Sequence, residues 1–200
     1  MNESARFLIL RKIKYGESDL IIQALSSRGE KKSFLARGAV KSKKRFGGGV
    51  LEPLHFCEFL FQKNRSSELY LLKEATLIED FPGLRQDYDR LDFALRILEC
   101  TSKVSQEGET DNARLFQLVG HALGYLEKTQ ELSIFKIQFY LKLLFQQGVL
   151  SPENWMLPFL RTSLDQSYDL TDKIITSDQI KNIEYQVQHY IDHAESISFS

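Results

Sequence analysis

The feature that most constrains the fold is a change of hydrophobic period at Phe81-Pro82-Gly83. Before it, strand-forming runs alternate with turn residues; after it, apolar residues recur at helical spacing. Phe7 to Tyr15 is rich in strand formers and ends at Gly16-Glu17. Leu20 to Leu25 reads as a second strand, Ser26 to Gly29 as a hairpin turn, and Lys31 to Ala36 as a third strand. Leu54 to Phe61 and Leu69 to Leu77 follow as the fourth and fifth, separated by a turn at Asn64 to Ser67. Five short strands with a long connection between the third and fourth favour a small closed barrel, because a sandwich generally needs about seven. A five-stranded Greek-key barrel of the OB type is expected.

From Tyr88 onward Leu91, Leu95 and Leu98 mark a helix, with Ala94 and Ile97 widening its stripe. Gln106 to Asn112 reads as a polar loop, and Leu115 to Leu126 as a second helix. Ser133 is placed to cap a third helix that stops at Gly148, and Thr176 or Ser177 to cap a last one. The expectation is an α+β protein of two domains, an OB barrel over residues 1–80 and an all-α helical bundle over 81–200.

Charge divides at the same boundary. Residues 1–80 carry fifteen Lys and Arg against ten Asp and Glu, whereas residues 81–200 carry eleven against seventeen. The excess concentrates between Arg37 and Glu52, where Arg37, Lys41, Lys43, Lys44 and Arg45 precede Phe46 and the run Gly47-Gly48-Gly49. Three consecutive glycines predict a mobile loop, and a mobile basic loop suits a polyanion of variable geometry, of which nucleic acid is the usual one. The competing reading is a solvated surface loop. Lys12 and Lys14 project from one face of the first strand, and Arg28, Lys31 and Lys32 surround the hairpin turn. With Arg37 to Arg45 they would form a stripe across one end of the barrel. Phe46, and with it Tyr15, either offers a ring to unstacked bases or serves the core, Phe46 as a plug in the barrel mouth. Phosphate contacts without base-reading motifs imply binding tolerant of sequence.

Catalytic constellations are not evident. The glycine run is followed by Val50-Leu51-Glu52 and not by the Lys-Ser/Thr of a phosphate cradle. Neither a Gly-x-Ser-x-Gly elbow nor a cysteine nucleophile signature occurs. His189 and His193 stand four apart, but Tyr190 occupies the position where a zincin carries Glu. His55 and His121 read as surface or satisfied core residues. Neither metal nor cofactor is expected, nor enzymatic activity. Two cysteines, Cys57 and Cys100, point to reduced core thiols in a cytosol. Apolar runs too short for a membrane span, and an N-terminus unlike a signal peptide, point to a soluble cytoplasmic protein.

Several short motifs resemble the RecO family of recombination mediators. They are Tyr15-Gly16-Glu17-Ser18-Asp19, Arg28-Gly29, Ala36-Arg37-Gly38 leading into the basic run, Leu51-Glu52-Pro53-Leu54 and Arg65-Ser66-Ser67-Glu68-Leu69. Leu115-Phe116-Gln117-Leu118 and Leu143 to Gly148 extend the likeness, which covers roughly residues 5–152. The resemblance implies an OB domain, a helical domain and a non-enzymatic role in recombinational repair. It implies binding of single- and double-stranded DNA, annealing of complementary strands, and contact with the tail of single-stranded-DNA-binding protein. It further implies cooperation with RecR and, indirectly, RecA. Many members carry a four-cysteine zinc motif after the Gly-x-x-x-Pro turn; Gly148 to Pro152 is followed by none. Trp155 and its apolar neighbours are therefore expected to hold Glu153 to Asp172. A protein-interaction adaptor and an RNA-binding OB protein are the alternative readings.

Overall fold

A computed structural model describes residues 1–63, 67–105 and 112–194. Most of the turn expected at Asn64 to Ser67 and of the loop expected at Gln106 to Asn112 lies outside the described residues. The chain divides into two compact units, one of Met1–Phe81 with Ser105–Phe116, the other of Pro82–Val104 with Gln117–Ser200.

The first unit is built on five strands: β1 (Asn2–Tyr15), β2 (Asp19–Ser26), β3 (Lys31–Ala36), β4 (Phe56–Gln62) and β5 (Tyr70–Glu79). They close into a barrel in the order β1-β2-β3-β5-β4, with β4 returning to β1. That is the OB arrangement expected from the sequence. The alternation that defined the strands puts Phe7, Ile9, Ile22, Ala24, Phe34, Cys57, Phe59, Phe61 and Leu72 into one buried core. Phe7, Phe34, Phe59 and Phe61 meet ring to ring, with centroids 4.9 Å apart for Phe7–Phe34 and 5.1 Å for Phe34–Phe59, both edge to face.

β1 is long because it serves two neighbours. Asn2 to Leu8 pair with β4, and Phe7 to Tyr15 pair with β2, with a register break between Ile9 and Arg11. Such a bulge bends a strand and lets a small barrel close. β3 and β5 pair in parallel over only Phe34↔Tyr70 and Leu35↔Leu71, so the outer edge of β5 beyond this seam needs another partner. Arg45 supplies it, its carbonyl accepting the Ala75 amide at 3.3 Å.

In the second unit α1 (Tyr88–Val104), α2 (Ala113–Leu126, its first turn in the barrel unit), α3 (Leu132–Gln146), α4 (Leu157–Arg161) and α5 (Ser177–Ala194) follow. α3 is buried on most sides and forms the core of this unit. Phe93 of α1 packs edge-on against Phe139 and Tyr140 of α3, at 5.9 and 5.6 Å between centroids. α3 begins one residue before Ser133, with Glu131 at the cap position making no side-chain bond. Gly148 ends it with φ 73°, as expected, and the Val149 amide reaches back to the Leu144 carbonyl. Thr176 caps α5: its hydroxyl accepts the Gln179 amide, while the Gln179 side chain accepts the Thr176 amide.

Of the residues expected to hold Glu153 to Asp172, Trp155 is only half-buried and its apolar neighbours do most of the work. Met156, Phe159, Leu164 and Leu170 carry the burial. The fully buried Gln138 amide donates to the carbonyls of Phe159, Thr162 and Ser163, and Lys142 donates to that of Leu160 at 2.9 Å. A glutamine and a lysine of α3 thus clamp the backbone of an otherwise irregular stretch.

In the barrel unit the β2–β3 turn depends on Gly29. Its φ is 81°, and a Cβ there would lie 2.0 Å from the Asn112 carbonyl oxygen. The Asn112 amide bonds the Arg28 carbonyl at 2.8 Å, so the approach is fixed on both sides. Gly29→Ala is expected to lower unfolding stability by about 1–3 kcal/mol, read as a lower urea midpoint at unchanged slope; an unaltered midpoint would contradict this packing.

Candidate nucleic-acid interface

Residues 37–52, expected to form a mobile loop, are folded onto the mouth of the barrel. Ala39–Lys41 forms a single helical turn, and at Gly47–Gly49 the chain bends through Gly48 and Gly49 with φ of 68° and 71°, where glycine is favoured. Phe46, Val50 and Leu51 enter the barrel core. Two further bonds pin the segment to the β1–β2 turn. The Gly38 amide donates to the Asp19 carboxylate at 2.8 Å, and the Val40 amide to the Ser18 carbonyl at 3.0 Å.

Phe46 therefore does not present a ring to bases. It is 5% exposed, packed in the core, with the Arg45 guanidinium 5.1 Å from its centroid. Burying an aromatic ring is favourable by about 1.5–3 kcal/mol, which outweighs leaving it free on the surface. Tyr15, by contrast, is 55% exposed at the end of β1, on the same side of the barrel as the basic segment.

The cations do not form a single stripe across one end. β3 runs from Lys31, opposite Leu25, to Ala36, opposite Leu20, so its two ends lie about 17 Å apart. Arg28, Lys31 and Lys32 stand at the β2–β3 turn. Lys14, opposite Leu20, and the segment Arg37 to Arg45 stand at the other end. At the first end Lys32 is bound to Glu30 at 3.1 Å and lies 4.8 Å from the Tyr70 ring. At the second, Arg37, Lys41, Lys43, Lys44 and Arg45 are exposed, and among the described residues none is paired with a carboxylate. The Arg45 side chain instead donates to the Arg37 carbonyl at 2.9 Å. Lys12 is bound to Glu52 at 2.5 Å. Lys12, Lys43, Phe46, Gly48 and Glu52 are among the residues lining a cleft of about 410 Å³ at this mouth. The pinning by Asp19 and the pairing by Glu52 were not foreseen, although both residues lie in motifs singled out above.

The remaining sequence candidates fall elsewhere. His55 is buried, its Nδ1 3.0 Å from the Val50 carbonyl oxygen. His189 and His193 stack at 4.3 Å between centroids on α5. Among the described residues no group of three or more His, Cys, Asp or Glu is arranged to hold a metal ion. No helix among them is long and apolar enough to cross a membrane.

An OB barrel with a cationic segment folded over its mouth, followed in sequence by a helical unit, places the chain in the OB-fold class, whose members bind oligonucleotides or oligosaccharides. Within that class, the profile described as "Recombination protein O N terminal" matches residues 1–81, and "Recombination protein O C terminal" matches residues 85–150. The chain belongs to the RecO family. It is 35% identical to the DNA repair protein RecO of Alkaliphilus metalliredigens over 142 residues, 70% of this chain and 56% of that protein. It is 30% identical to RecO of Maridesulfovibrio salexigens over 149 residues, 74% of this chain and 59% of the other. With RecO of Rubrobacter xylanophilus it shares 32% over 145 residues, 72% and 56% respectively. The chain thus spans just over half the length of the curated relatives it matches.

The two cysteines are core residues without nucleophilic character. Burial pushes the Cys57 thiol up to about 12 and the Cys100 thiol up to about 11. Since folding raises these values, the stabilisation is complete below the free thiol's pKa near 9 and is lost as pH climbs toward 11–12. Ellman's reagent is expected to leave both thiols unmodified in the folded protein at pH 8 and to titrate both after denaturation. Stability should fall as pH rises above about 9; prompt labelling of the native protein would refute the assignment.

Proposed function

We propose that this chain is a DNA-repair protein of the recombination-mediator kind, binding DNA phosphates through the cationic mouth of its barrel. The supporting observation is that five exposed cations, Arg37, Lys41, Lys43, Lys44 and Arg45, occupy a segment fixed at one end of an OB barrel without carboxylate partners among the described residues. Contacts of this kind release counterions without reading bases, so single and double strands both bind. Screening two strands at once lowers their mutual repulsion, while weak, sequence-tolerant contacts leave the bases free to pair. Annealing of complementary strands follows from that balance. The role is non-enzymatic. By likeness to the family, the partners are RecR and the tail of single-stranded-DNA-binding protein, with RecA served indirectly.

Fluorescence anisotropy with labelled single-stranded DNA tests the phosphate assignment. Replacing Lys43, Lys44 and Arg45 together by Ala should flatten the dependence of log affinity on log salt by about two to three units; an unchanged slope rejects it. Tyr15→Ala separates stacking from charge. It should weaken single-stranded binding by about 1–3 kcal/mol with little effect on duplex, and equal losses on both would count against a stacking role.

A further inference from the structure

The 410 Å³ cleft at the barrel mouth holds a feature that pure cation counting overlooks. Lys12 of β1 and Lys43 of the basic segment both line it, yet only Lys12 has a carboxylate partner among the described residues. That partner, Glu52, is the one acidic residue between Lys31 and Cys57. Its side chain passes close to Gly49, with Cγ 3.9 Å from where a glycine Cβ would project, and delivers Oε1 to the Lys12 ammonium at 2.5 Å. Both side chains remain partly open to solvent, at 32% and 43% exposure, so another anion can reach the lysine.

We propose that Glu52 is an internal competitor for DNA phosphate, a carboxylate that occupies the anion seat on Lys12 until a backbone phosphate displaces it. This inference rests on the DNA-binding reading above and names the regulation of that same site. A carboxylate oxygen presents to an ammonium the same charge-assisted contact as a phosphate oxygen. When DNA enters, Lys12 exchanges one anion for another, and the released Glu52 gathers a cation from solution. The exchange therefore yields almost no net counterion release, unlike a contact made by an unpaired lysine. Lys12 is silent in the salt dependence of the native protein, and the cleft's affinity is held below what its lysines alone would give. Such restraint suits strand annealing, in which DNA must leave once it has paired.

The test is a set of salt titrations with fluorescein-labelled oligothymidylate over about 50–200 mM NaCl. Glu52→Gln keeps the shape of the side chain and removes its charge. It should tighten binding about two- to fivefold and steepen the salt slope by about 0.7. Lys12→Ala alone should leave the slope near the native value, and Lys12→Ala with Glu52→Gln should abolish the gain. Thermal melts followed by circular dichroism establish that each variant is folded, with Glu52→Ala as the second variant should Glu52→Gln melt early. Native affinity and slope in a folded Glu52→Gln, or a gain that survives loss of Lys12, overturns the proposal. The Lys43, Lys44 and Arg45 replacement is titrated alongside. If it flattens the slope while Glu52→Gln matches native protein, only the competitor role falls. If native protein does not bind, or the triple replacement keeps the full slope, the DNA-binding reading fails and this inference with it.

Discussion

The burial of Phe46 is the contact on which the rest of the candidate site depends. Five cations within nine positions repel one another, and three glycines that follow impose no conformation of their own. What fixes them is apolar: Phe46, Val50 and Leu51 enter the barrel core from one side of the segment. A single buried ring contributes about 1.5–3 kcal/mol, enough to hold a short loop against weak surface repulsion. The cations are left outside because their neighbours go inside. Asp19 and Ser18 then set the orientation through the Gly38 and Val40 amides, and Ala75 anchors the far end at Arg45. The segment covers the mouth and bonds the edge of β5 at Ala75, so its charge and its structural role are inseparable.

The topology also decides which cations can act together. Successive turns of antiparallel strands fall at alternate ends, so the β2–β3 turn and the connection leaving β3 lie on opposite sides of the barrel. Arg28, Lys31 and Lys32 are separated from Arg37 to Arg45 by the length of β3, beyond a Debye length of about 8 Å at physiological salt. A flexible polyanion spanning both ends would have to follow the barrel wall. Of the two groups, the mouth carries the greater free charge, since Lys32 already has Glu30 and the Tyr70 ring.

Much of this was legible beforehand, for a physical reason. Strands whose inward residues alternate announce themselves, and the bounds of β3 at Lys31 and Ala36 agree with those expected. β1 began earlier than expected because Asn2 to Arg6 pair with β4 while remaining mostly exposed, so hydrophobicity gave no sign of them. A lone aromatic between an arginine and a glycine has no period to assign it a face, which is why sequence alone admits two roles for Phe46. Trp155 drew attention by its size, yet Met156 and Phe159 carry the burial in a stretch too short for periodicity to separate them. Glu52 stood in a family motif, but nothing along the chain tells which of many lysines it will meet across 40 positions.

The two sequence halves carry opposed charge. A helical half with seventeen acidic against eleven basic residues offers a polyanion little attraction. The barrel's surplus is small overall, so on the proposed reading the local concentration at the mouth would set the encounter with DNA. A carboxylate within that concentration cancels part of its charge. It makes sense if the function requires exchange instead of capture: a site that neutralised every phosphate permanently would stabilise single strands against pairing. On the proposed reading, a segment fixed by its apolar residues, charged on its outer side and tempered by one internal anion would hold a strand and still give it up.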